Sequence, residues 1–253
     1  MAKTPAPALR ALLERLIDYA GTFPPAALPC GAAAANYAQY RRGEHAWMLR
    51  WLVVSAADLE RVPAELDGSL SVLSDADHPR AAAIESKRVV PAGRPVYCEV
   101  PVASLDDVKR AGCLAKVRTG GVKPVAIPSV ADVAAFIRAC AERRLAFKAT
   151  AGLHHPVRAE HPLTYEPDAP RAVMHGFLNV FLAAAFAWHG DPDIEPVLAE
   201  TDPAAFRFDD RAHWRNRSLD ATQVRDARTN FAHAFGSCSF EEPVRDLQSL
   251  GLL

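Results

Sequence analysis

The sequence predicts a single (β/α)8 barrel of the TIM type, on three observations. Short β-like runs alternate with helix-like stretches along the whole chain, eight such runs can be counted, and 253 residues is the usual size of one α/β barrel. An open doubly wound α/β sheet would show the same alternation and is the alternative. No internal repeat, low-complexity tract or linker divides the chain, so residues 1–253 are read as one barrel domain.

The strand candidates are, in order, IDYAGTF (17–23), RWLVVSA (50–56), LSVLSD (70–75), RPVYCEV (94–100), LAKVRTG (114–120), LAFKATA (145–151), AFRFDD (205–210) and FAHAFGS (231–237). The clearest helix is SVADVAAFIRACAERR (129–144), where Val133, Phe136, Ile137, Cys140 and Ala141 recur at helical spacing. Ser129 followed by Asp132 makes a capping-box start, and SLDDVKRAG (104–112) opens in the same way with Ser104 and Asp107. MHGFLNVFLAAAFAWHG (174–190) is almost wholly apolar, so it is a core helix or a contact within a homo-oligomer. The prolines of TFPPAALP (22–29) read as an ordered loop.

Composition excludes several classes. Half of the residues are hydrophobic and 23% are charged, enough to bury a sizeable core. A net charge of −1 with no long run of one sign argues against a nucleic-acid or membrane-surface partner. Cys30, Cys98, Cys113, Cys140 and Cys238 form no CxxC pair, which points to a reducing cytoplasm rather than a disulfide framework or structural zinc. The stretch MAKTPAPALRALLERLIDYAG is interrupted by Arg10, Glu14, Arg15 and Asp18, so it is not a secretory segment, and no apolar run is expected to cross a bilayer.

A barrel of this kind carries its active site at the C-terminal ends of its strands. Glu99 ends VYCEVP, Lys116 and Arg118 share one face of their strand, and Lys148 and Thr150 share one face of the next. Thr119 follows the first pair, and His154 and His155 follow the second. Asp209 and Asp210 end the seventh candidate, and Gly236, Ser237, Cys238 and Ser239 lie at the eighth. Two lysines inside apolar strands are unusual, because a buried ammonium costs several kcal/mol unless it is paired. Mutual repulsion and burial would both lower their pKa values. A fall from about 10.4 to about 7 would represent about 4–5 kcal/mol and give an amine able to form a Schiff base. Glu99 or His154 would then carry protons.

The same residues resemble a family. KVRTGG from Lys116 and KATAGL from Lys148, 32 residues apart, are similar to the two lysine-bearing strand ends of class I (Schiff-base) aldolases of the deoxyribose-phosphate aldolase type. FGSCSF (235–240) resembles that family's phosphate-binding turn. The resemblance implies Lys116 as nucleophile, Lys148 as its activator, and Gly236, Ser237 and Ser239 as an anion-binding nest before the last helix. Arg118 stands where that family has a small residue, an extra cation that points to an anionic substrate or to a different role for Lys116.

The expectation is therefore a lysine-dependent aldolase or lyase acting on a small phosphorylated or carboxylated carbonyl compound, with Arg118, Thr119, Thr150, His155 and Asp209 as further substrate contacts. Alternatives are an isomerase, lyase or decarboxylase that stabilises an enolate without a covalent step, or a barrel that binds an anionic metabolite without turnover. No nucleotide motif is present, and no cofactor is expected. A divalent ion belongs to the non-covalent alternative, drawn from His154, His155, Glu99, His175 or His233, whose spacing matches no HxH or HExxH pattern. Arg211, Arg215 and Arg217 are a solvated run or an anion clamp.

Overall fold

Alternation of side chains along a strand sorts its residues between two faces, and here it separates an apolar outer layer from a charged interior. The computed structural model describes residues 5–253, so the first four residues of the N-terminal stretch lie outside the described residues. The chain runs α1 (Pro7–Leu13), β1 (Ile17–Tyr19), α2 (Cys30–Tyr40), β2 (Leu49–Ser55), β3 (Leu70–Leu73), β4 (Ala81–Ser86), β5 (Val96–Cys98), α3 (Leu105–Arg110), β6 (Leu114–Arg118), α4 (Val130–Glu142) and β7 (Phe147–Thr150). A long excursion follows through β8 (Ala159–Pro162), β9 (Arg171–Met174), α5 (Phe177–Trp188), α6 (Glu195–Ala199), β10 (Phe206–Phe208), β11 (Arg211–Trp214), β12 (Arg217–Asp220) and α7 (Ala221–Asn230). The chain then returns as β13 (Ala232–Ser237) and ends in α8 (Glu241–Ser249).

Strands β1 to β7 and β13 pair in parallel and in sequence order. The circle closes where Ile17, Asp18 and Tyr19 pair with Phe235, Gly236 and Ser237. That closure settles the fold as a (β/α)8 barrel and removes the open-sheet alternative. Among the described residues the crossovers from β2 to β5 have no α-helix, only two 3-10 turns (Ala56–Arg61 and Ala64–Leu66) and short loops.

Two strand readings need correction. AFRFDD is not a barrel strand: Phe206–Phe208 pairs antiparallel with Arg211–Trp214, and β12 completes a separate three-stranded sheet. The two-residue link between β10 and β11 permits a hairpin, whereas a parallel partner needs a crossover of a dozen or more residues. The missing barrel strand is AAAIES (81–86), whose alanines carry little β-propensity.

The helices follow their patterns closely. Ser129 and Asp132 form the reciprocal capping box of α4, which buries Val133, Phe136, Ile137 and Cys140. Ser104 makes no side-chain cap, because a 3-10 turn (Val102–Ser104) runs directly into α3. The 3-10 turn Pro124–Ala126 and α4 together span nineteen residues that are long and apolar enough to cross a bilayer by length and composition alone, although Asp132 and Arg138 interrupt the apolar run. In the fold it is the connection between β6 and β7, docked by its apolar face. Ten of the twelve residues of α5 are buried, as its all-round apolarity requires.

The glycines after the two lysine strands are fixed by backbone contact. A Cβ on Gly120 would lie 2.8 Å from the Gly152 Cα, and Gly152 also has φ +77°. The loops leaving β6 and β7 therefore touch backbone to backbone. Gly152→Ala is expected to cost about 2–4 kcal/mol in urea denaturation, from left-handed strain plus overpacking. Gly68→Ala, with φ +72° but open space around it, should cost only the strain, about 1–2 kcal/mol.

Candidate active site

The interior of the barrel is charged across its middle. Lys116 and Lys148 are directly paired in register on β6 and β7, as their spacing predicted. Their side chains do not stay beside one another. Lys148 Nζ donates to Asp18 Oδ2 on β1 at 2.5 Å and to Glu85 Oε1 on β4 at 2.6 Å. Neither strand neighbours β7 on that side, so the bonds cross the barrel. Lys116 Nζ lies 2.8 Å from Glu85 Oε2 and 3.1 Å from Glu99 Oε2, and Arg118 Nε donates to Glu99 Oε1 at 2.9 Å. Charges thus alternate in one chain, Asp18–Lys148–Glu85–Lys116–Glu99–Arg118.

Supporting bonds orient the carboxylates. Ser71 Oγ donates to Glu85 Oε1 at 2.7 Å, and the Trp51 amide donates to Asp18 Oδ1 at 3.2 Å. Arg50 Nη2 donates to the Tyr97 hydroxyl at 3.0 Å, which lies 2.8 Å from His233 Nδ1. Exposure rises along the chain, from 0% at Lys148 to 6% at Lys116 and 47% at the Arg118 side chain. The series therefore runs from the barrel centre to its rim.

This arrangement corrects the expectation that both lysines lose charge. Burial by itself would lower the Lys148 pKa, but Asp18 and Glu85 outweigh burial and raise it above the ordinary lysine value. Burial likewise would raise the Glu85 carboxyl, yet Lys116 and Lys148 hold it well below the usual range. Glu99 is lowered against burial by Lys116 and Arg118. Sequence reasoning could count like charges on adjacent strands but not the carboxylates reaching them from across the barrel.

Above Lys116 opens a cavity of about 400 Å³ at the C-terminal mouth. Lys116, Arg118, Thr150, His154 and Gly236 line it, as expected, together with Glu85 and Cys238. Apolar wall comes from Phe23, Pro24 and Pro25 after β1, and from Leu163 and Met174 of the β8–β9 hairpin. Lys123 adds an exposed cation at the edge.

A second cluster borders the same cavity. His154 Nδ1 lies 3.1 Å from Glu242 Oε2, 3.3 Å from Ser237 Oγ and 4.0 Å from Cys238 Sγ, and Tyr165 Oη is 3.6 Å from that sulfur. Burial would lower the His154 pKa, but its bonds to Cys238 and Glu242 push it up to about 9. The imidazole is therefore cationic at neutral pH. Cys238 is pulled below the ordinary thiol value, burial being outweighed by His154 and Tyr165.

Other predicted residues fall elsewhere. Lys148 does not touch the cavity and acts beneath it. Thr119 is fully buried and donates to the Ala151 carbonyl at 2.5 Å, tying the two glycine loops together. His155 pairs with Asp246 at 2.6 Å and stacks on His161 with ring centroids 3.4 Å apart. Asp209 leaves the site altogether: its side chain is 63% exposed beside His213, because its strand belongs to the outer sheet. The Gly236–Ser239 turn does not form the expected anion nest. Ser237 Oγ accepts from the Ser239 amide, Ser239 Oγ accepts from the Glu242 amide, and Glu241 and Glu242 occupy the first turn of α8. His175 bonds the Pro128 carbonyl and His233 lies at the opposite mouth, so these histidines do not converge on His154. Arg215 and Arg217 are tied to Glu200 and Asp191.

Asp18 and Glu85 were missed. Asp18 reads as an interruption of an apolar run, and Glu85 sits in the uncounted strand. Both are single charges inside apolar strands, the same signal that marked the lysines.

Lys148→Met is expected to destabilise the protein by about 3–5 kcal/mol in chemical denaturation, because Asp18 Oδ2 and Glu85 Oε1 would lose the buried cation between them, leaving Glu85 to Lys116 and Asp18 only to Arg50 at 3.8 Å. Arg118→Ala, removing a half-exposed ion pair, should cost about 1 kcal/mol or less. NMR titration of the imidazole should place His154 near pH 9. Cys238→Ser should lower that midpoint, since burial would then be opposed by fewer anionic partners. No family model, curated protein or solved structure matches this chain, so no relative assigns a role to these residues.

Proposed function

We propose that the barrel is a lysine-dependent carbon–carbon lyase of the aldolase type, with Lys116 as the imine-forming amine. The observation that carries this reading is the pairing around Lys116. Each carboxylate beside its Nζ has a second cation, Lys148 for Glu85 and Arg118 for Glu99. Loss of the Lys116 proton therefore leaves no buried carboxylate without a partner, so a neutral amine can exist at the cavity floor.

In the proposed reaction the neutral amine adds to a substrate carbonyl carbon. The carbonyl oxygen takes up two protons and leaves as water, giving an iminium. Cleavage of the adjacent Cα–Cβ bond sends its electron pair to the iminium nitrogen as an enamine, while the β-hydroxyl gives up its proton and an aldehyde departs. Protonation of the enamine carbon and addition of one water regenerate the amine. Glu85 and Glu99 are the nearest acceptors for the ammonium proton, and cationic His154 on the same wall can donate to the departing oxygen. Arg118 and Lys123 favour a substrate with a phosphate or carboxylate tail, and about 400 Å³ suits a small one.

A second reading rests on the two carboxylates at ion-pair distance from Lys116, which suit a permanent ion pair as well as a proton acceptor. In that state Lys116 and Arg118 would stabilise an enolate without a covalent bond. Borohydride reduction in the presence of small anionic aldehydes and ketones separates the two. The imine reading expects a reduced adduct at Lys116 by peptide mass spectrometry, none at Lys148, and loss of turnover by about 1,000-fold or more in Lys116→Met. Turnover with no trappable adduct would establish the enolate reading instead.

A further inference from the structure

The opposite mouth of the barrel holds a second cavity, of about 320 Å³, between the N-terminal ends of β2 and β13 and the C-terminal ends of α1 and α7. Its wall carries Arg15, Arg50, Arg225, Arg228 and His233 against one carboxylate, Glu14, which is itself engaged with Arg10.

Of the four arginines only Arg50 has a carboxylate within ion-pair distance among the described residues. Arg228 is buried and spends its fork on main-chain carbonyls, donating to Leu12 at 2.8 Å, Glu14 at 3.2 Å and His233 at 2.6 Å, and also to Ala232. These bonds join the end of α1 to β13 but cancel no charge. Arg50 Nη1 is buried with no hydrogen-bond acceptor, and the nearest carboxylate oxygen, Asp18 Oδ2, is 3.8 Å away and already held by Lys148. Arg15 and Arg225 are exposed and make no ion pair among the described residues. Arg15 also sits in the left-handed region, φ +49°, directly after α1, where glycine is the residue of least strain. Burial together with Arg50 and Arg228 pushes the His233 imidazole down to about 4, and burial with Arg50 pulls the Arg228 pKa down as well. Burial leads both shifts and the neighbouring guanidiniums add to each, whereas at Arg50 the Asp18 carboxylate and Tyr97 outweigh burial and raise the pKa.

We infer that the N-terminal mouth is a second ligand site, built for a phosphate-class oxyanion. Guanidinium forks match a tetrahedral oxyanion with paired N–H···O bonds, and an anion here would relieve repulsion among four arginines around the seam where the barrel closes. The cavity has room for a phosphate carrying a small organic group. The same chemistry is met by free phosphate and by a phosphate monoester.

The test is thermal unfolding of the full-length protein titrated with inorganic phosphate, and separately with glycerol 3-phosphate, against chloride at constant ionic strength. A saturable rise in Tm is expected in the wild type and in Arg118→Ala, which removes a cation of the other cavity. In Arg15→Ala/Arg225→Ala the apparent Kd should weaken at least tenfold, while the Tm in chloride stays close to wild type because both side chains are exposed. If the double variant does not fold, calorimetric titration of Arg225→Gln carries the same expectation. A stronger response to the ester identifies an organic phosphate as the occupant, and an equal response identifies phosphate itself. An equal response of the wild type and the double variant, no saturable response, or a response lost only in Arg118→Ala would overturn the inference.

Discussion

An ammonium with no solvent exposure can persist in a protein only if carboxylates reach it, and Lys148 holds two. Because Asp18 and Glu85 come from β1 and β4, the pairing fixes strands that share no hydrogen bonds with each other. Much of the interior follows. Glu85 has one oxygen committed to Lys148 and Ser71, and its other oxygen is turned to Lys116. Asp18 has one oxygen committed to Lys148 and the other to the Trp51 amide, which sets β2 against β1. The charged layer takes the place of the branched aliphatic layers that usually fill such barrels.

That constraint also divides the lysines by role. Lys148 is a fixed positive charge behind the site, too deep and too well paired to meet a ligand. Lys116, one carboxylate further along, stands at the cavity floor with a small exposed area. Identical residues on paired strands differ because one lies below Glu85 and the other beside the opening. The proposed chemistry depends on this difference: a nucleophile must meet its substrate, and of the two lysines only Lys116 lines the cavity, with a second cation beside each of its carboxylates.

The cavity wall is assembled from pieces that the barrel alone would not supply. The β8–β9 hairpin brings Leu163 and Met174 over the mouth and Tyr165 onto Cys238. The loop after β1 contributes Phe23 and its prolines. Glu242, from the first turn of α8, keeps His154 charged. The two mouths differ in a simple way: at the C-terminal end cations alternate with carboxylates, whereas at the N-terminal end arginines gather with little to oppose them.

Residue order by itself determined the barrel class, seven of the eight parallel barrel strands, the capped α4, the buried α5 and the two lysines on neighbouring strands. These are local or nearest-neighbour properties: side-chain period, turn chemistry, and spacing along paired strands. It also marked Arg118, Thr150, His154 and Gly236 as lining the mouth, since the C-terminal end of a strand is legible once the strand is. Tertiary structure decided the rest. β4 was hidden because three alanines carry no strand signal, and β10 was misassigned because only the fold shows whether a short apolar run closes a barrel or a hairpin. Asp18 and Glu85 became partners of Lys148, and Asp209 left the site, through contacts between strands far apart in sequence. Whether a buried lysine keeps or loses its charge depends on which carboxylates arrive beside it, and that is a property of the closed barrel, not of any segment within it.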